Sequence, residues 1–95
     1  MFAVTGMWTM DSGMLKQQAE LLPGLVAGVA QNEGFVRGFW SQDIDDPSAN
    51  VTFIVFKTLQ QACAFREAVV ANAPAQEEAG VGRNSLRIVE VKADA

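Results

Sequence analysis

Two segments, Gly34-Phe35-Val36-Arg37-Gly38-Phe39-Trp40 and Val51-Thr52-Phe53-Ile54-Val55-Phe56, read as β-strands with apolar side chains on both faces. An antiparallel sheet normally wets one face, and its strands then alternate apolar with polar residues. Here neither face reads as wet. Helices of the same chain can cover one side. The other side needs a second cover, and another copy of the chain is the simplest one.

Ninety-five residues make one domain, residues 1–95. A chain of this size buries roughly two-thirds of the surface its unfolded form exposes, which leaves a thin core. A hydrophobic fraction of 49% against 19% charged is apolar for so small a chain and again points to an oligomer. Net charge is −4, and the seven basic residues are scattered from Lys16 to Lys92, so no basic patch for nucleic acid forms. The single cysteine, Cys63, can build neither an internal disulfide nor a thiolate metal site. With no basic stretch in Met1–Met10 of the kind that opens a signal peptide, the expected location is the cytoplasm. No apolar run approaches the ~18 residues a membrane helix needs.

Along the chain, Phe2–Met10 alternates as a strand, with Phe2, Val4, Trp8 and Met10 on one face and Ala3, Thr5, Met7 and Thr9 on the other. Asp11 or Ser12 can cap the next helix. Residues 14–31 have helical spacing in Leu15, Leu22, Val26 and Val29, and Pro23 predicts a kink or two short helices. Gly34 suits a left-handed turn. Strands follow at 35–41 and 51–58, joined by a polar loop containing Asp43, Asp45 and Asp46. A second helix spans 59–73 with Thr58 as its cap. A loop at 74–84 contains a helical turn at Gln76-Glu77-Glu78, and the last strand is 85–92. The order β-α-β-β-α-β is the ferredoxin-like arrangement, an α+β fold with two helices on one face of a four-stranded antiparallel sheet.

The chemistry is less explicit. With no His and no Tyr, a Ser-His-Asp triad, a His-based metal site and the commonest general base are all excluded. No glycine pattern matches a dinucleotide or phosphate loop. The aspartates lack the order of a calcium loop and read as a solvated turn. Trp8 and Trp40 read either as a stacking wall for a flat aromatic molecule or as packing. Arg37, which simple alternation sets on the same face as Phe35 and Phe39, either binds an anionic ligand oxygen or snorkels at a surface or interface. Arg87 poses the same pair of readings. Cys63, among Ala62, Ala64 and Phe65, reads as an inert thiol.

Gly34-Phe35-Val36 after a helix, then Trp40-Ser41-Gln42-Asp43, an apolar strand, and Thr58-Leu59-Gln60-Gln61-Ala62-Cys63-Ala64-Phe65-Arg66 carry a resemblance across nearly the whole chain. The chain resembles the antibiotic biosynthesis monooxygenase-like proteins of the dimeric α/β-barrel superfamily. That resemblance implies a homodimer whose sheets close into a shared barrel. It also implies a pocket between sheet and helices for a small apolar or aromatic molecule, and cofactor-independent oxygenation. A non-catalytic ligand-binding or interaction dimer is the alternative. Haem-degrading relatives use a helix histidine, and the second helix here offers Cys63, Phe65 and Arg66 instead, so no haem and no other cofactor or metal is expected. Phe56 stands where many relatives have Trp, keeping an aromatic wall without the indole N–H. The expected substrate-binding residues are Trp8, Arg37, Phe56, Phe65 and Arg87, and no catalytic residue is identified.

Overall fold

Two residues with positive φ, Gly34 at 81° and Gly80 at 75°, mark the turns at which the chain re-enters its sheet. Any side chain is strained at such angles, so glycine belongs there. The computed structural model describes residues 1–95 and runs β1 (Phe2–Met10), a 3₁₀ turn (Ser12–Met14), α1 (Leu15–Ala30), β2 (Phe35–Gln42), β3 (Ala49–Phe56), α2 (Leu59–Ala71), α3 (Ala73–Glu78) and β4 (Val81–Glu90). The four strands form one antiparallel sheet in the order β2-β3-β1-β4. This is the ferredoxin-like α+β topology expected from the element order, with α3 as an addition.

Local chemistry explains the helix starts. The Asp11 carboxylate accepts from the Gly13 N–H and begins the 3₁₀ turn. At α2 the Thr58 hydroxyl accepts from the Gln61 N–H while the Gln61 side chain accepts from the Thr58 N–H, a reciprocal cap. The Gln61 side chain lies over Gly34, where any Cβ would overlap it.

Two boundaries depart from the sequence reading, and one of the two readings of Pro23 is excluded: α1 is one helix of 16 residues with Pro23 inside it, not two short ones. Pro23 removes one helical hydrogen bond, but Ala19, whose carbonyl loses its donor, is exposed, and water is available to it. The helical turn expected at Gln76-Glu77-Glu78 is the end of a separate helix that starts at Ala73, with Pro74 in its first turn, where a fixed φ is suited. β4 begins at Val81, four residues before the expected 85, because the end of β1 offers Thr9 and Met10 as partners for Gly82 and Val81.

Register then assigns the faces. Phe2 stands opposite Phe56, Val4 opposite Ile54, Gly6 opposite Thr52 and Trp8 opposite Asn50. These residues face the helices, and Val4, Ile54 and Phe56 form the core with Val29 of α1 and Ala62 of α2. Phe56 is fully buried, edge-on to Phe35 at 6.3 Å and tilted against Phe65 at 5.1 Å. The opposite face carries Ala3, Thr5 and Met7 between Val55, Phe53 and Val51 on one side and Val89, Arg87 and Ser85 on the other.

A bulge alters β2. Phe35 stands opposite Phe56 and Arg37 opposite Val55, consecutive residues of β3, so Val36 is the extra residue. Phe35 therefore faces the helices, while Arg37 and Phe39 face away. The expectation that Phe35, Arg37 and Phe39 share a face is corrected by this single insertion, since the side-chain period of a strand is two.

Candidate functional site

The helix layer does not close over the sheet. α2 lies across β1, β3 and β4, whereas α1 lies mainly against β2. Some apolar residues of α1 are also exposed: Leu21 at 62% and Leu25 at 52%. Beneath, the helix-facing Trp8, Trp40 and Leu86 are only half-buried. This partly covered apolar floor is surface the protein can offer a ligand.

Trp8 is fixed on that floor. Its indole lies over Gly6, where a Cβ would overlap the ring, and its Nε1–H donates to Thr52 Oγ1 at 3.0 Å. Trp40 repeats the device two residues after Gly38, whose missing side chain leaves room for the second indole. Both rings are thus laid back along their strands by a Gly-x-Trp spacing. An indole held in this way presents a flat aromatic surface at little further entropic cost.

One cross-sheet row contains Trp8. Gln42, Asn50, Trp8 and Arg83 stand side by side on β2, β3, β1 and β4. The next row inward, Trp40, Thr52, Gly6 and Leu86, is largely apolar. The Nδ2 group of Asn50 is buried and has no hydrogen-bond partner. Arg83 is exposed and makes no ion pair, the single one in the chain being Lys92 with Glu90.

The five residues expected to bind substrate do not converge. Trp8 lies at one end of the helix-facing side. Phe56, opposite Phe2, lies six residues away along β1, roughly 20 Å at the rise of a strand. Phe56 belongs to the core, and Phe65 packs on it while lining a polar cleft of about 440 Å³ with Asn32, Glu33, Thr58 and Gln61. Arg37 and Arg87 are on the opposite face of the sheet, and neither shares a surface with Trp8. A small molecule on Trp8 therefore touches none of the other four.

Sequence reading did not single out Thr52, Asn50 or Arg83. Thr52 and Asn50 follow from the alternation of β3 once its parity is known. Arg83 carried no such signal, because Val81-Gly82-Arg83-Asn84 reads as a loop, and only the bulge at Asn84 sets Arg83 opposite Trp8. The aspartate loop is the solvated turn expected of it: Asp43 Oδ1 accepts from the Asp45 and Asp46 N–H groups, and Asp46 Oδ1 from the Ser48 N–H. No cluster of three or more metal-ligating side chains occurs, and no helix is long and apolar enough to cross a membrane.

No family model and no curated protein matches the sequence. Solved structures match the fold. A protein from Nitrosomonas europaea named as a candidate antibiotic biosynthesis monooxygenase is similar at 15% identity and TM-score 0.76, over 98% of this chain and 100% of that one. SnoaB, a cofactor-independent oxygenase from Streptomyces nogalater, is similar at 15% identity and TM-score 0.74, over 98% and 94% of the two chains. Rv0793 from Mycobacterium tuberculosis is similar at 14% identity and TM-score 0.75, over 99% and 97%. Matched end to end with these proteins, the chain has the ferredoxin-like α+β fold of the antibiotic biosynthesis monooxygenase-like proteins.

Proposed function

We propose that the chain is a homodimer that binds a flat aromatic molecule over the Trp8 end of its helix-facing sheet surface and oxygenates it without a cofactor. The observation that carries this reading is the indole of Trp8, pinned over Gly6 by its hydrogen bond to Thr52 and only half-buried. The same fold in SnoaB, a cofactor-independent oxygenase, supports the reaction class. In such a reaction the substrate supplies all the electrons: a ring methylene becomes a carbonyl, one oxygen atom enters it, and the other leaves as water. The protein's part is to hold an electron-rich ring, exclude water and direct donors at the oxygen that gains charge. The donor next to Trp8 without a protein partner is Asn50 Nδ2, which is buried. The unpaired thiol of Cys63 fits a reducing cytoplasm.

A non-catalytic binder remains the second reading, favoured by one feature: the row through Trp8 holds two amides and an arginine but no carboxylate to act as a base. Oxygen uptake with anthrone and dihydroxynaphthalene substrates separates the two. Uptake above the buffer rate that is lost in Trp8→Ala supports the oxygenase. Binding without uptake supports the binder, and neither binding nor uptake by the wild type overturns both.

A further inference from the structure

We infer that Arg83 selects an acidic form of the ligand, so that the molecule bound over Trp8 is an aromatic anion whose carboxylate or phenolate oxygen is held by the guanidinium. This rests on the aromatic site proposed above and adds the chemical class of what enters it. Arg83 stands opposite Trp8 in the β1–β4 register, on the strand next to it and on the same face of the sheet. Neighbouring strands lie about 4.8 Å apart, so a ring stacked on the indole carries a directly attached acidic group into reach of Arg83. The guanidinium is exposed and forms no ion pair, and its planar fork suits a carboxylate.

Arg83 also lines a cleft of about 150 Å³ between α3 and β4 with Gln76, Glu77 and Val81. Glu77 is the carboxylate that competes for it, yet it does not come within ion-pair distance. The two other strand arginines, Arg37 and Arg87, are on the far face and cannot serve this site. Arg83 is thus the one cation in the cross-sheet row that contains Trp8.

Calorimetric titration of the full chain with naphthoate and with its neutral isostere naphthamide tests the assignment. Naphthoate is expected to bind roughly tenfold more tightly, the contribution of one charge-assisted hydrogen bond. Arg83→Gln, a change at an exposed position that leaves the fold intact, is expected to abolish the preference while keeping the affinity for naphthamide. Arg83→Lys should retain part of the preference, Glu77→Gln should raise it, and Lys57→Gln, at an exposed cation outside the site, should leave it as it is. Equal binding of the two probes, or a preference that survives in Arg83→Gln, overturns the role of Arg83 and leaves the aromatic site standing. Binding of neither probe removes both the aromatic site and this role.

Discussion

A single hydroxyl orients the aromatic surface of this protein. Thr52 Oγ1 is the acceptor for Trp8 Nε1–H, and Gly6 beside it leaves the space the indole fills. Valine has the shape of threonine without the acceptor, so Thr52→Val leaves a half-buried N–H without a partner. The expected loss is about 1 kcal/mol of stability, the usual net value of one neutral hydrogen bond. Urea unfolding measures that loss, and Trp emission reports a freer, wetter indole. Thr52→Ser keeps the oxygen and is expected to restore the emission spectrum. If valine leaves both readouts unchanged, the bond does not hold the ring. The aromatic character of the site was legible in the sequence because Trp8 is rare, large and preceded by glycine at the spacing that puts both on one face. Its polar partner was not, because a threonine in a strand looks like any other β-branched residue until the register is known.

At the level of elements, the helix α1 is the least settled part of the layer over the sheet. Pro23 lies in its middle, where it withholds a donor from the Ala19 carbonyl, and Leu21 and Leu25 on either side are more than half exposed. Interior proline costs about 3 kcal/mol relative to alanine in a helix. Part of that is relieved here by water at an exposed turn, so Pro23→Ala is expected to stabilise the chain by about 1–3 kcal/mol. A rise in thermal midpoint with unchanged far-ultraviolet helix content checks it, and a fall shows that a bend at Pro23 is needed for packing. Which elements form was readable from periodicity and caps, since β1 and β3 alternate without interruption. Where alternation breaks was not. Val36 and Asn84 are bulge residues, yet a β-branched valine inside an apolar strand gives no local sign of an insertion. The bulge at Val36 moves Arg37 off the face that Phe35 occupies, and the one at Asn84 brings Arg83 into the Trp8 row. Arg37 and Arg87, the arginines legible in the sequence, are on the face opposite Trp8, and Arg83 beside Trp8 was hidden in what read as a loop.

For the whole molecule, the question is what covers the second dry face. A folded monomer of 10.2 kDa exposes about 5300 Å² by the usual scaling with mass, whereas this chain exposes 6295 Å². The excess of about 1000 Å² compares with the ~800 Å² that each partner buries in a stable interface. The tail after Glu90 contributes to it, and so does the outer sheet face, where Phe39 is 56%, Met7 54% and Val51 45% exposed. That face holds Arg37 and Arg87 and no carboxylate. If two copies pack through it, the apolar residues associate while four guanidinium groups gather at the rim, so an added cation is doubly unfavourable by symmetry. Phe39→Lys is therefore expected to give a folded monomer, because Phe39 contributes little to the core of its own chain. Phe39→Glu, which offers a partner to the arginines, is expected to weaken association less. Light scattering should read twice the 10.2 kDa chain mass for the wild type and the chain mass for Phe39→Lys. The thermal midpoint of the wild type should rise with concentration, as it does when association and folding are linked, and that of Phe39→Lys should not. A wild type that stays at the single-chain mass at every concentration sinks the dimer, and the apolar face then requires a different partner.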